Sequence, residues 1–431
     1  MSVWKEYKIS ELGKVVTGKT PSLKNPEEWG TLVAFVTPTD FDSYNKSIEG
    51  SIRYLSERGA NVFNSKLLPP NSVIVTCIGS QMGKVALNKI PCVTNQQINS
   101  IILNENFNSD FIYYLISSMQ DYLRNLATGG STMPIVNKSD FENIKIIAPN
   151  LTTQTAIAEI LSSLDDKIEL NIKINQELET LAKTLFKQWF IDFEFPNENG
   201  EPYKSSGGEM EDSELGEIPK GWKIVKVQDL EHKLQTGTRP KGGVGGITQG
   251  VPSIGAESIK KLGYYDFSKV KFVTEEFASK MKRGKVEGYE LLIYKDGGKP
   301  GTFIPHFSMF GEGFPFDSFF INEHVFLLDF FNNHFNSFCY FFFDSEYVKP
   351  VFENNGGKAA IPGINQEDVK NLWVFNPNLE AVKLFGEFAH SSVSTILKNC
   401  KENIQLTNLR DTLLPKLISG ELEVSQTQTT A

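Results

Sequence analysis

The chain has 431 residues, 40% of them hydrophobic and 22% charged, and at about 150 residues per domain it exceeds what one hydrophobic core usually fills. That balance excludes a wholly disordered or collagen-like chain. The net charge of −9, from 43 basic and 52 acidic residues, taken alone disfavours a nucleic-acid partner.

From the amino terminus, Lys5, Glu6 and Lys8 precede any apolar run, so no signal-peptide core is expected and the chain reads as cytoplasmic. Residues 1–150 alternate short β-branched and aromatic runs (33–36, 73–78, 98–103, 144–147) with Gly, Pro and Asn, and add a helical stretch at 111–126. This predicts a mixed α+β domain. Residues 151–192 then place Ile157, Leu161, Leu164, Ile168, Asn171, Asn175, Leu178 and Leu185 at spacings of three and four, a long amphipathic helix capped by Thr152 or Thr153. Residues 193–217 read as an acidic linker: from Asp192 to Glu217 there are nine acids and one base, so most of the net charge lies there.

A second mixed domain is expected over 218–378. Its segment Lys260 to Lys299 holds ten bases and six acids interleaved with aromatic residues, either a phosphate-facing surface or a solvated lysine-rich face. The apolar run from Phe319 to Phe343 is broken by Asn322, Glu323, His324 and Asp329, which argues against a membrane span. A second long helix over 379–420, with Phe385, Ala389, Ile396, Asn399, Asn403, Leu406 and Leu413 on one side, is predicted to stop at Pro415, and 421–431 reads as a disordered tail.

These halves are one plan written twice. Trp4, Leu12, Thr17-Gly18 and Pro21 recur as Trp222, Leu230, Thr236-Gly237 and Pro240. Val73-Ile74-Val75, Gly79 and Gly83 recur as Leu291-Leu292-Ile293, Gly297 and Gly301. From Asn137 to Phe186 the second copy follows at a constant offset of 228, with 16 of 50 positions identical, where average residue usage gives about three by chance. The polar interruptions match too, Asn171 and Asn175 with Asn399 and Asn403. Two such helices are expected to pair along their apolar seams, where asparagines cost stability but fix register.

Residues that would carry chemistry are not assembled in the sequence. Gly79 to Val85 has three residues between its glycines where a phosphate loop needs four, and Val85 stands where a magnesium-binding hydroxyl belongs. The Gly242 to Gly250 run reads as turns. Four cysteines (Cys77, Cys92, Cys339, Cys400) and five histidines are scattered without metal-ligand spacing, and Asn376-Pro377-Asn378-Leu379 lacks the second proline and the aromatic residue that would hold a flipped adenine. No catalytic residue, no metal site and no cofactor of its own are expected. Two similar domains joined by paired helices suit the reading of two sites on a duplex whose backbone is itself twofold symmetric.

The sequence resembles the specificity subunit of Type I restriction-modification systems over its whole length. The resemblance is carried by Thr20-Pro21-Ser22 with Trp29-Gly30, by Asn95-Gln96-Gln97-Ile98-Asn99, by Gln154 to Phe193 and by Gly216-Glu217-Ile218-Pro219-Lys220-Gly221-Trp222. It implies an α+β protein of two target-recognition domains joined by two long antiparallel coiled-coil helices, with pseudo-twofold symmetry from the duplication. It also implies double-stranded DNA as ligand, and as partners two methyltransferase subunits and restriction (translocase-nuclease) subunits. S-adenosylmethionine, ATP and Mg would belong to those partners, and no membrane is involved. The second copy departs from the first, with Asn322-Glu323-His324 in place of Asn95-Gln96-Gln97.

Side chains on glycine-flanked loops suit base-edge contacts, Arg or Lys to guanine and Asn or Gln to adenine. The candidates are Lys19, Lys24, Gln81, Lys84, Gln96 and Thr132 in the first domain, and Arg239, Lys241, Lys299 and Lys358 in the second. Phosphate contact alone is the other role open to each. A coiled-coil scaffold bridging two protein partners, and the recognition part of a Type II methyltransferase or nuclease, are the alternative readings.

Overall fold

The architecture comes from a computed structural model that describes residues 4–41, 46–79, 81–126, 135–357 and 361–424. The chain divides into two compact units, residues 1–169 with 405–431 and residues 170–404, so each takes one globular domain and a part of both long helices.

In the first unit a five-stranded sheet runs in the order Gly13–Thr17, Ile98–Leu103, Val73–Thr76, Val85–Asn88, Ser47–Ile48. Its first four strands are antiparallel and the last joins in parallel. The middle hairpin is buried throughout, and its alternation divides it between two cores: Val73, Val75, Val85 and Leu87 face one, Ile74 and Ala86 the other. On the first of these faces lie Phe111 and Ile112, the helix residues Ile157, Ala158 and Leu161, and Leu417 and Ile418 from the far end of the second long helix. Each fully buried Phe, Ile or Leu among them contributes about 1.5–3 kcal/mol.

The second unit repeats the topology. Lys233–Thr236, Val325–Asp329, Leu291–Tyr294 and Phe307–Met309 form an antiparallel sheet in that order. A parallel pair, Val33–Val36 with Cys92–Thr94 in the first unit, recurs as Val251–Ile254 with Phe320–Ile321. The core here is built of phenylalanine: Phe338, Phe341 and Phe342 of the helix Asn333–Phe343 pack with Phe186 and Phe385 of the long helices. The apolar run 319–343 is therefore two short strands and a buried helix, and among the described residues no helix is long and apolar enough to cross a membrane.

The long helices are Leu151–Phe190 and Glu380–Ile418. Within the second unit they pair antiparallel: Asn171 donates to Asn403 at 2.8 Å and Asn399 donates to Asn175 at 2.8 Å. Asn403 is the repeat counterpart of Asn175 and Asn399 that of Asn171, so the two bonds are related by the pseudo-twofold of the duplication. Within the first unit the same register brings Arg410 to Asp165 at 2.7 Å, and Asp165 also accepts from the Tyr114 hydroxyl at 2.5 Å.

Four local expectations are corrected. The first long helix is capped by Asn150, whose Oδ1 accepts from the Thr153 amide, and not by Thr152 or Thr153. Pro415 does not end the second helix, which continues to Ile418; the single backbone bond that proline forgoes is outweighed by burying Leu417 and Ile418. The segment 193–217 is not a bare linker: Met210–Ser213 and Gly216–Pro219 form a hairpin, and Phe193, Phe195, Met210 and Leu215 pack onto the second core. The helical stretch 111–126 is two helices, Ser109–Ser117 and Gln120–Leu126, broken where the Ser118 hydroxyl donates to the Leu115 carbonyl.

Candidate nucleic-acid interface

Strand register gathers the loops. In the first unit Thr17 pairs with Asn99, Ile98 with Thr76 and Val75 with Val85, so the segments 18–32, 77–84 and 94–97 all leave the same end of the sheet. In the second unit Thr236 pairs with Phe326, Val325 with Tyr294 and Ile293 with Phe307, which gathers 237–250, 295–306 and 322–324 in the same way.

Backbone bonds lock each cluster identically. The Cys77 amide donates to the Gln97 carbonyl at 2.8 Å and the Val136 amide to the Cys77 carbonyl at 2.9 Å. Their counterparts are Lys295 to His324 at 3.1 Å and Ile364 to Lys295 at 2.8 Å. In both units an asparagine folds the third loop into a tight turn: Asn95 Oδ1 accepts from the Gln97 amide at 3.0 Å, and Asn322 Oδ1 from the His324 amide at 2.9 Å. Gln96 and Glu323 thus occupy the tips of equivalent turns.

The shared Thr-Gly pair has its reason here. A Cβ on Gly18 would lie 2.2 Å from the carbonyl oxygens of Thr94 and Asn95, and one on Gly237 only 1.6 Å from that of Ile321. Only glycine lets the first loop press against the third. That approach joins their side chains: Thr20 Oγ1 donates to Gln96 Oε1 at 2.6 Å, and Arg239 Nε stands 2.8 Å from Glu323 Oε1. The second unit extends this into a charged chain, with His324 Nε2 at 3.3 Å from Glu323, His324 Nδ1 against Asp296, and Lys295 also on Asp296.

Of the residues singled out from the sequence, Lys19, Gln96 and Gln81 lie in the first cluster, Lys19 and Gln96 exposed and Gln81 partly so. Lys84 is partly buried, its amide donating to the Thr76 hydroxyl at 3.0 Å. Lys24 is exposed on the turn at 22–25. Thr132 and Lys358 lie outside the described residues. Arg239 and Lys241 line one cleft with Arg283 and Glu323. Lys299, the repeat counterpart of Gln81, lines another of about 820 Å³ with Lys260, Lys261, Tyr264, Tyr294 and His306. Burial holds the His306 imidazole below its ordinary pKa, aided by Lys349 and Lys260.

Within the basic segment 260–299, Lys269, Lys271, Lys280, Lys285 and Lys295 each face a carboxylate, which leaves less positive surface than the count of bases suggested. The neighbours of these candidates that the sequence did not single out are Thr20, Glu323, His324, Asp296 and Arg283. The repeat offset carries a signal for two of them, since it sets Thr20 against Arg239 and Gln96 against Glu323.

On the helices, Ile157 and Leu161 are buried in the first unit's core, with Leu413 partly buried against it. Phe385 and Ile396 are buried in the second unit's core, with Leu178 and Leu185 partly buried against it. Leu164, Ile168 and Leu406 are partly exposed.

A duplicated α+β domain that offers one loop cluster per copy, mounted on paired helices, defines a two-copy protein with two equivalent loop surfaces. Residues 1–180 match the family described as the Type I restriction modification DNA specificity domain. The relatives it resembles along its length are likewise specificity subunits of Type I restriction-modification systems. The chain is similar to the Type I restriction enzyme MjaIX specificity subunit of Methanocaldococcus jannaschii, with 29% identity over 442 residues covering 98% of this chain and 94% of that one. It is also similar to the HindI specificity subunit of Haemophilus influenzae, with 38% identity over 149 residues, 34% of this chain and 32% of the relative. Its fold is that of the S subunit of the Type I restriction-modification system from M. genitalium, with a TM-score of 0.62 at 16% identity and coverage of 98% of this chain and 97% of the other.

Proposed function

We propose that this chain is the sequence-reading subunit of a Type I restriction-modification complex, in which each domain addresses one half of a bipartite double-stranded DNA target and the helices set the unread spacer. The observation that carries this is the pair of loop clusters, alike in backbone bonds and different in side chains. Equal scaffolds deliver two surfaces in the same pose to a duplex, and unequal side chains at their tips make the two half-sites differ. The net charge is no obstacle, because nine of the acids are confined to residues 192–217, away from both clusters in the sequence.

In this reading the chain holds two methyltransferase subunits that use S-adenosylmethionine, and translocase-nuclease subunits that use ATP and Mg, and works in the cytoplasm. The purified chain alone is expected to transfer no labelled methyl group to DNA; transfer at the rate of the full assembly would place it instead among self-contained methyltransferases. The decisive experiment exchanges residues 4–150 for the matching domain of a relative and sequences the methylated adenines of the host. One half of the target should change and the other stay. A change in both halves would refute independent reading, and DNA retention that varies with salt but not with sequence would favour the scaffold alternative.

A further inference from the structure

The duplication sets Arg239 where the first unit has Thr20, and Glu323 where it has Gln96. Both pairs bridge equivalent loops, over a glycine that admits no side chain, at the equivalent end of each unit's sheet. The site is one; the chemistry differs. In the first unit a neutral hydroxyl steadies a neutral amide. In the second a carboxylate steadies a guanidinium.

Resting on the DNA-reading function above, we propose that this pair decides which base each domain prefers at one equivalent position: Gln96, held by Thr20, addresses adenine, and Arg239, held by Glu323, addresses guanine. The Thr20 hydroxyl takes one lone pair of Gln96 Oε1, leaving the other lone pair and the Nε2 donors for the N6 amino group and N7 of adenine in the major groove. Glu323 engages Arg239 through Nε, which leaves the two terminal amino groups to fork onto O6 and N7 of guanine. Gln96 is exposed and the Arg239 side chain is half exposed, so both can reach a ligand. Glu323 is a positioning residue. Its Oε1 is shared between Arg239 and His324, and His324 is itself held on Asp296, so the carboxylate is braced by a second partner besides Arg239. Thr20 has the same part in the first unit.

The test uses the full chain, alone and with its methyltransferase partner, to select from a random duplex library, and reads the enriched sequences. The double variant R239T/E323Q gives the second unit the first unit's pair. It should convert one guanine of one half-site to adenine, a preference on the order of 10- to 100-fold in each case, with the other half-site intact as internal proof of folding. E323A alone keeps the arginine but removes the group that holds it, and should flatten the preference at that same position about tenfold, with E323D retaining part of it. R239Q should lose the guanine without gaining a second change elsewhere. An unaltered sequence from R239T/E323Q, or a change in both half-sites, would overturn the proposal while leaving the DNA-reading function standing. A wild-type chain that enriches nothing, with or without its partner, would overturn that function and this inference with it.

Discussion

Asp165 and Arg410 offer a test in which the protein supplies its own control. Asp165 is 9% exposed and bonded to both Arg410 and the Tyr114 hydroxyl. Burial, together with the neighbouring carboxylate, pushes the Tyr114 phenol far above its ordinary range, so it stays a neutral donor. Burial alone would lower the Arg410 guanidinium, but Asp165 and Asp411 hold it above its usual value. At the repeat-equivalent positions the second unit has Val393 for Asp165 and Ala182 for Arg410, both buried in its core. R410A strands the Asp165 charge against Tyr114, and breaking a buried pair from one side costs about 3–5 kcal/mol. The lower end applies, because 27% of the Arg410 side chain remains exposed. With about 2–4 °C lost per kcal/mol for a unit of this size, the melting transition of the first unit should fall by roughly 6–12 °C, read by calorimetry on the full chain. Copying the second unit with D165V/R410A, and adding Y114F to remove the orphaned hydroxyl, should return the transition to within about 1 kcal/mol of wild type, since well-packed apolar groups replace buried ion pairs at little cost. An R410A loss below about 1 kcal/mol, or a triple variant as unstable as the single, would refute the reasoning.

Other perturbations probe the seam, the loops and the spacer. N171A removes the amide that donates to both Asn403 and Glu402 in the seam and should cost about 1–3 kcal/mol; urea unfolding of the full chain measures it, and a neutral N171A would deny these bonds any structural weight. G237A sets a Cβ against the Ile321 carbonyl and should displace the loop bearing Arg239, lowering affinity for a duplex carrying the full target without changing the circular dichroism of the chain; unchanged affinity would remove that loop from the interface. Inserting four residues in each long helix, beside Asn171 and beside Asn403, adds about 6 Å and roughly 40° of turn. The unread spacer should grow by one or two base pairs at ~3.4 Å each with both half-sites retained, and an active variant with an altered half-site and an unchanged spacer would count against the helices as the spacing element.

The duplication, the long helices and their asparagines are written in the chain itself, because a repeat offset and a periodicity of three and four need only residues near one another in sequence. So is the Thr-Gly pair of each opening, although its cause lies elsewhere: the Cβ that Gly18 and Gly237 must lack would strike carbonyls 76 and 84 residues away in the chain. What the sequence left open is which groups meet. Asn171 finds Asn403 and not its own counterpart Asn399, because an antiparallel pair reverses the order of one partner. Pro415 reads as a stop, yet the burial of Leu417 and Ile418 carries the helix past it; acidic residues 193–217 read as a linker, yet Phe193, Phe195 and Leu215 anchor them to a core. The pairing of Thr20 with Gln96 and of Arg239 with Glu323 is likewise a product of strand register, which brings distant loops to one end of a sheet. Local patterns follow from neighbours along the chain, whereas encounters across the sheet depend on the packing of everything between.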